Sequence, residues 1–232
     1  MGLRGEIMKL NIKFVVNIVL IALIVIGIGN IVRMTAFAAK PVHTSGTEDA
    51  MLFVMSFCPY GVQAEQAMKP VVDMLGDSVS IAPHFIVNVA NGEVQSLHGA
   101  VEAKEDMRQA CIWKYYDQKT FWSYVDNVNG QCSLSNIETC WKTAASSASV
   151  DTTKIETCAT DEGIALMTAE AALSEQYGVS GSPTLIIAGE QVNAARTPDG
   201  YKTAICNSLT DKPAGCSQTL NSTAAAATGG CS

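Results

Sequence analysis

Basic residues are scarce in this chain of 232: there are 15 Lys and Arg against 22 Asp and Glu. Four of the 15 and one of the 22 fall in the first 39 residues, so the remainder carries 11 against 21, a net charge near −10. No basic stripe is present, which argues against nucleic acid as a partner. Close cysteine spacing is also missing. The eight cysteines (58, 111, 132, 140, 158, 206, 216 and 231) include no pair two to four residues apart. Structural zinc sites favour that spacing, so neither a metal nor any other cofactor is expected.

The first 39 residues form a separate segment. Arg4, Lys9 and Lys13 precede an apolar run, residues 14–32, interrupted only by Asn17, Gly27, Gly29 and Asn30. A basic end leading into such a run enters a membrane with its N-terminus inside and exports the remainder of the chain. The run is just long enough to span a bilayer, and Ala36-Phe37-Ala38 has the small-x-small form of a cleavage site. A retained membrane anchor and a cleaved signal peptide both stand, and both put the rest of the chain outside the cytoplasm. Residues 40–50 read as a linker, polar and rich in Ser, Thr and Gly. All eight cysteines lie beyond the segment, and an even set in an exported chain points to disulfides.

The chain then alternates in type. Met51 to Met55 is a continuous apolar run, the pattern of a strand buried on both faces. Apolar residues next recur at Met68, Val71, Val72 and Leu75, which is helical spacing. A second strand is expected over 79–87. Residues 95–178 read as a helical block, with helices over 102–116, 119–128, 136–147 and 161–177, the last stopped by Gly178. A hairpin is expected at 184–188 and 191–192. Thr197-Pro198-Asp199 then opens a last helix running to about 209, with a capping hydroxyl, a first-turn proline and an acid at the positive end. Residues 211–232 are low-complexity and are expected to lack fixed structure.

The chemistry centres on Cys58. It lies in Ser56-Phe57-Cys58-Pro59-Tyr60-Gly61, where the first strand ends and the first helix begins. Free backbone N–H groups and the positive end of a helix dipole stabilise an anion there. An accessible thiolate with a lowered pKa is therefore expected. Ser182-Pro183 opens the third strand, and a cis bond there would aim the Ser182 backbone at the Cys58 turn.

Together these features resemble the thioredoxin superfamily, in the DsbA-like subgroup with helices inserted between the two halves of the sheet. The resemblance implies an α/β fold over 51–210, with the helical insertion at about 95–178. It also implies catalytic roles for Cys58 and Pro183 and substrate contacts by Pro59, Tyr60 and Ser182. A narrower resemblance is to the lysosomal thiol reductase family (GILT). Its signature is matched in spacing by Ser96-Leu97-His98-Gly99, Glu102-Ala103, Asp106 and Cys111, and its later segment by Cys140, Cys158, Asp161, Gly163, Leu166 and Met167.

The departures bear on mechanism. These families use two active-site cysteines two residues apart, whereas Gly61 holds the second position here, and Ser96 and Ala103 replace two signature cysteines. Cys58 alone can attack a disulfide, but another thiol must release it. Expected disulfides are Cys111–Cys132, Cys140–Cys158 and Cys206–Cys216, which leaves Cys231 as the candidate resolving thiol. The expected function is thiol–disulfide exchange or isomerisation on protein or peptide thiols and disulfides. The competing reading is a thioredoxin-like binding or structural domain without turnover. His84 and His98 read as structural residues.

Overall fold

The computed structural model describes residues 49–227. The signal or anchor expected at 1–39, most of the 40–50 linker, and Cys231 lie outside the described residues. Among the described residues no helix is long and apolar enough to cross a membrane.

Strand β1 (Ala50–Val54) is buried along its whole length. Its side chains alternate between two cores, as a strand's geometry requires. Leu52 and Val54 join the larger core; Met51 and Phe53 join a smaller one with Ala82, Val179 and Ile186. β1 runs parallel to β2 (Ile81–Phe85) and antiparallel to β5 (Thr184–Ile187), which pairs antiparallel with β6 (Glu190–Val192). The sheet order is β2-β1-β5-β6. Helix α1 (Pro59–Leu75) buries Ala64, Met68, Val71 and Leu75 in the larger core. The three larger of these contribute about 1.5–3 kcal/mol each.

Between the two halves of the sheet lie α2 (Ala100–Tyr115), α3 (Gln118–Gln131), α4 (Ile137–Ser147), α5 (Thr152–Asp161) and α6 (Gly163–Gln176). Gln118 joins this block to the sheet: it accepts from the Ile81 N–H at 2.6 Å and donates to the Val79 carbonyl at 3.0 Å. Gly178, at φ 64°, stands just after α6 as expected. Helix α7 (Pro198–Ser208) starts as its sequence predicts, with the Thr197 side chain accepting from the Gly200 N–H at 3.0 Å.

Three features differ from expectation. A hairpin, β3 (Asn88–Ala90) with β4 (Glu93–Gln95), precedes the helical block. Its signal is Asn91-Gly92, whose φ values of 54° and 79° suit a tight two-residue turn. Helix α5 is an element the apolar spacing does not announce; Asp151 caps it by accepting from the Thr153 and Lys154 N–H groups. The tail is also tied down over its described part. A 3-10 turn (Ala214–Ser217) leads into chain whose backbone bonds to α7: the Asp199 N–H donates to the Asn221 carbonyl at 3.1 Å, and the Leu220 N–H donates to Asp199 Oδ1 at 3.2 Å. These bonds use main-chain groups, so a side-chain-poor sequence carries no sign of them.

The disulfides correct two expected pairings. Cys111 pairs with Cys158, and Cys132 with Cys140, in place of Cys111–Cys132 and Cys140–Cys158. Helix α5 is the reason, because it presents Cys158 to the buried middle of α2. Cys132, at the end of α3, and Cys140, early in α4, are folded together by the Ser133–Asn136 turn, in which the Asn136 side chain accepts from the Ser133 N–H. Cys206 pairs with Cys216.

Candidate functional site

The buried strand β1 delivers the chain to a turn closed by the Cys58 N–H donating to the Met55 carbonyl at 3.0 Å. Cys58 is the N-cap residue of α1, with Pro59 at the first helical position. Proline is suited there, since its missing N–H has no intrahelical partner to lose. The Ser182-Pro183 bond is cis. Its loop meets the Cys58 turn in two ways: Cys58 Sγ lies 3.6 Å from the Ser182 carbonyl oxygen, and the Met55 N–H donates to Ser182 Oγ at 3.1 Å.

The expectation of an accessible thiolate needs correction. Cys58 is 0% exposed, and its sulfur is held in a disulfide rather than as a titrating thiol. No cysteine among the described residues is free. The turn that sets Cys58 at the helix start also brings its sulfur against the cis-proline loop. Pro59 and Ser182 are half-buried, and Tyr60 is exposed, with the Arg196 guanidinium 4.9 Å from its ring centre.

Gly61 has a steric reason. A Cβ at this position would lie 2.6 Å from Ser182 Oγ and 3.0 Å from the Met55 carbonyl oxygen. The Ser182 hydroxyl therefore occupies the room that a side chain at 61 needs. Gly61 and Ser182 form a matched pair.

Two acids that composition alone does not single out hold the Cys58 turn from behind. Asp106 Oδ1 accepts from the Ser56 N–H at 3.2 Å and from Ser56 Oγ at 2.5 Å. Glu102 accepts from the Phe57 N–H at 2.8 Å, from Ser96 Oγ at 2.7 Å and from the His98 N–H at 2.9 Å. His98 Nδ1 lies 2.8 Å from the same carboxylate, so His98 reaches the turn through Glu102. His84 lies elsewhere, on β2 against Glu170. Ser96, His98, Glu102 and Asp106 all stand within residues 96–111.

The acids behind the turn are crowded. Glu65, Glu102, Glu105 and Asp106 are all buried, with Arg108 the buried cation among them, 3.2 Å from Glu105. Burial, aided by Glu105 and Glu102, pushes Glu65 up to about 8 against the pull of the Asn129 amide. Burial and the neighbouring Glu102 carboxyl hold Asp106 well above the usual carboxylate range. Burial raises Glu105 too, opposed by the Tyr124 hydroxyl and Arg108.

A family model described as the vacuolar sorting receptor thioredoxin-like domain matches residues 89–206. That stretch begins after Cys58. No curated protein sequence matches the chain. Among solved structures, reduced DsbG, a disulfide bond oxidoreductase from Mycobacterium tuberculosis, is 17% identical, with a TM-score of 0.52 over 77% of this chain and 88% of that one. Oxidised BdbD from Bacillus subtilis is 15% identical, with a TM-score of 0.50 over 76% and 96%. MdbA, a thiol-disulfide oxidoreductase from Actinomyces oris, is 14% identical, with a TM-score of 0.50 over 73% and 85%. At these identities the likeness is one of fold, thioredoxin-like with a helical block.

Proposed function

The chain belongs to the family of vacuolar sorting receptor thioredoxin-like domains, and on that footing we propose that it is an exported thiol–disulfide exchange protein working through Cys58. The observation that carries this reading is the placing of Cys58 at the N-terminus of α1, 3.6 Å from the carbonyl oxygen before cis Pro183. Once its own disulfide is opened, a thiolate at that helix end is favoured by the dipole and the first-turn N–H groups. It attacks one sulfur of a substrate disulfide, a new S–S bond forms, and the second substrate sulfur leaves as a thiolate. A second thiol then attacks the mixed disulfide and frees the substrate.

Substrates are protein or peptide thiols and disulfides. Pro59 and Tyr60 flank the sulfur, and the backbone at Ser182 and Pro183 offers an edge to an extended peptide. The lysosomal thiol reductase resemblance supports the reading through Glu102 and Asp106, because residues in its spacing bond to the Cys58 turn. Three scaffold disulfides support an extracytoplasmic location. The N-terminal 39 residues would serve as anchor or signal.

The test is the rate of Cys58 alkylation against pH in the reduced protein, together with exchange against a peptide disulfide. A thiol pKa below about 8.5, with exchange abolished in Cys58→Ser, is expected. A pKa at or above that reference and no mixed disulfide overturns the reading.

A second reading, a binding domain without turnover, is favoured by the burial of Cys58 and by Gly61 in the place of a second cysteine. It predicts a reduced protein that keeps its fold yet forms no mixed disulfide.

A further inference from the structure

We propose that the Cys132–Cys140 disulfide is a second thiol-exchange site, open to a small external thiol through the cleft beside Cys58, while the other two scaffold disulfides stay closed. The exchange at this bond is independent of the proposed activity of Cys58; its consequence for substrate entry rests on that activity.

The first observation is access. A thiolate must approach one of the two sulfurs, so exposure decides which disulfides are labile. Cys111 and Cys158 are 0% and 3% exposed, and Cys206 is 4% exposed; all three belong to the larger core. Cys132 and Cys140 are both half-buried. Theirs is the one bond of the three with neither end buried.

The second is where this bond opens. Cys132 lines a cleft of about 620 Å³ with Phe57, Pro59, Val62, Gln66 and Leu134. That volume is in the range of small-molecule sites. Among the described residues, none that lines it is charged, so an approaching thiolate meets no carboxylate on the way in. Phe57 and Pro59 are the residues on either side of Cys58, and the cleft therefore runs from the candidate site to the second disulfide.

The third is the leaving group. Cys140 is the fourth residue of α4, where the positive end of the helix dipole favours a thiolate. The acid of the same turn, Glu138, is already paired with Lys104 and Arg108. A thiol of lower pKa leaves faster, which points to attack at Cys132 with Cys140 departing.

In the first step the external thiolate bonds to Cys132 Sγ, and the 132–140 bond breaks with its electron pair on Cys140. A second external thiolate attacks the external sulfur of that mixed disulfide and releases Cys132. One protein disulfide gains two electrons, two external thiols become their disulfide, and their two protons pass to Cys132 and Cys140. The broken bond had drawn together the two ends of the Ser133–Asn136 turn, which carries Leu134 and Ser135 into the cleft wall. Opening it frees that wall to move beside Cys58.

Reduced glutathione applied to the full exported chain, followed by alkylation and peptide mapping, tests the site. Cys132–Cys140 is expected to open about tenfold faster than Cys111–Cys158 or Cys206–Cys216, and to keep that lead in Cys58→Ser. Equal or earlier opening of either other pair, or loss of the lead in Cys58→Ser, overturns the proposal. Leu134→Trp, at a position already 40% exposed, narrows the cleft. It is expected to slow the opening of Cys132–Cys140 severalfold and leave Cys206–Cys216 unchanged; an unchanged rate at both overturns the route through the cleft. The consequence for entry is read with a peptide disulfide in Cys132→Ser/Cys140→Ser, where KM is expected to shift with kcat unchanged, and an unshifted KM overturns it. Fast opening of Cys132–Cys140 in a protein that performs no exchange at Cys58 upholds the second site and overturns the exchange reading, so the two failures are distinguishable.

Discussion

In the helical block, Cys111 meets Cys158 across α2 and α5, and Cys132 meets Cys140 across the turn from α3 to α4. At the start of α1, Cys58 is bonded to none of these four, and its surroundings are a cis-proline loop, a glycine and a wall of buried acids. Both regions bury sulfur; what separates them is the cost of taking the sulfur apart. A bond between two helices shortens the excursions of the unfolded chain, and in α2 it also steadies the helix that carries Glu102 and Asp106 behind the Cys58 turn. A cysteine capping a helix, beside a space too small for a side chain and a group of crowded carboxyls, sits in a region that gives up stability for geometry.

The contrast can be broken most forcefully in the block. Replacing Cys111 and Cys158 together by Ala removes a crosslink 47 residues apart in sequence. It is expected to cost about 4 kcal/mol by loop entropy, read as a drop in the denaturant midpoint. Replacing Cys58 by Ser should abolish exchange while leaving the Cys111–Cys158 crosslink in place.

The next effect belongs to the acids. The folded-state pKa of Glu65 is raised to about 8, so the folded protein keeps a proton that the unfolded chain loses above about 4.5. Stability contributed by this group is therefore highest in acid and declines as pH rises from about 4.5 to 8, reaching a deficit of about 3 kcal/mol at pH 7. Glu65→Gln, which keeps an oxygen for the Asn129 amide now 2.8 Å away, should flatten urea midpoints across that range. An unchanged slope would show that Glu65 ionises normally.

The smallest effect sharpens the site itself. Gly61→Ala pushes a methyl into Ser182 Oγ and the Met55 carbonyl, at an expected cost of about 1–3 kcal/mol. Because both changes bear on one space, Gly61→Ala and Ser182→Ala should be non-additive by about 1 kcal/mol in a double-mutant cycle. Strict additivity would mean that the two positions do not share it.

Much of this arrangement is legible in the sequence because it is written in strong local signals. The apolar run before Cys58, the proline after it and the Thr197-Pro198-Asp199 start are all local choices that the fold respects. Helix α5 is harder to read. It is ten residues of mostly polar and β-branched side chains, with Ile155 and Cys158 its buried pair, too few to set a period. Losing α5 also misassigns the disulfides, since it is α5 that carries Cys158 to Cys111. The roles of Glu102 and Asp106 depend on contacts 45 and 50 residues away, which no local window contains. The match between Gly61 and Ser182 is longer still in sequence, and there a missing side chain is the informative one.

Glu102 ties three separate stretches of chain to one carboxylate: the Phe57 N–H beside the cysteine, the Ser96 hydroxyl after the β-hairpin, and the His98 N–H before α2. A tilt at the near end of α2 is therefore delivered directly to the sulfur's own turn. Anything that grips the hairpin or the helix would pull on Cys58 as a cord pulls a latch.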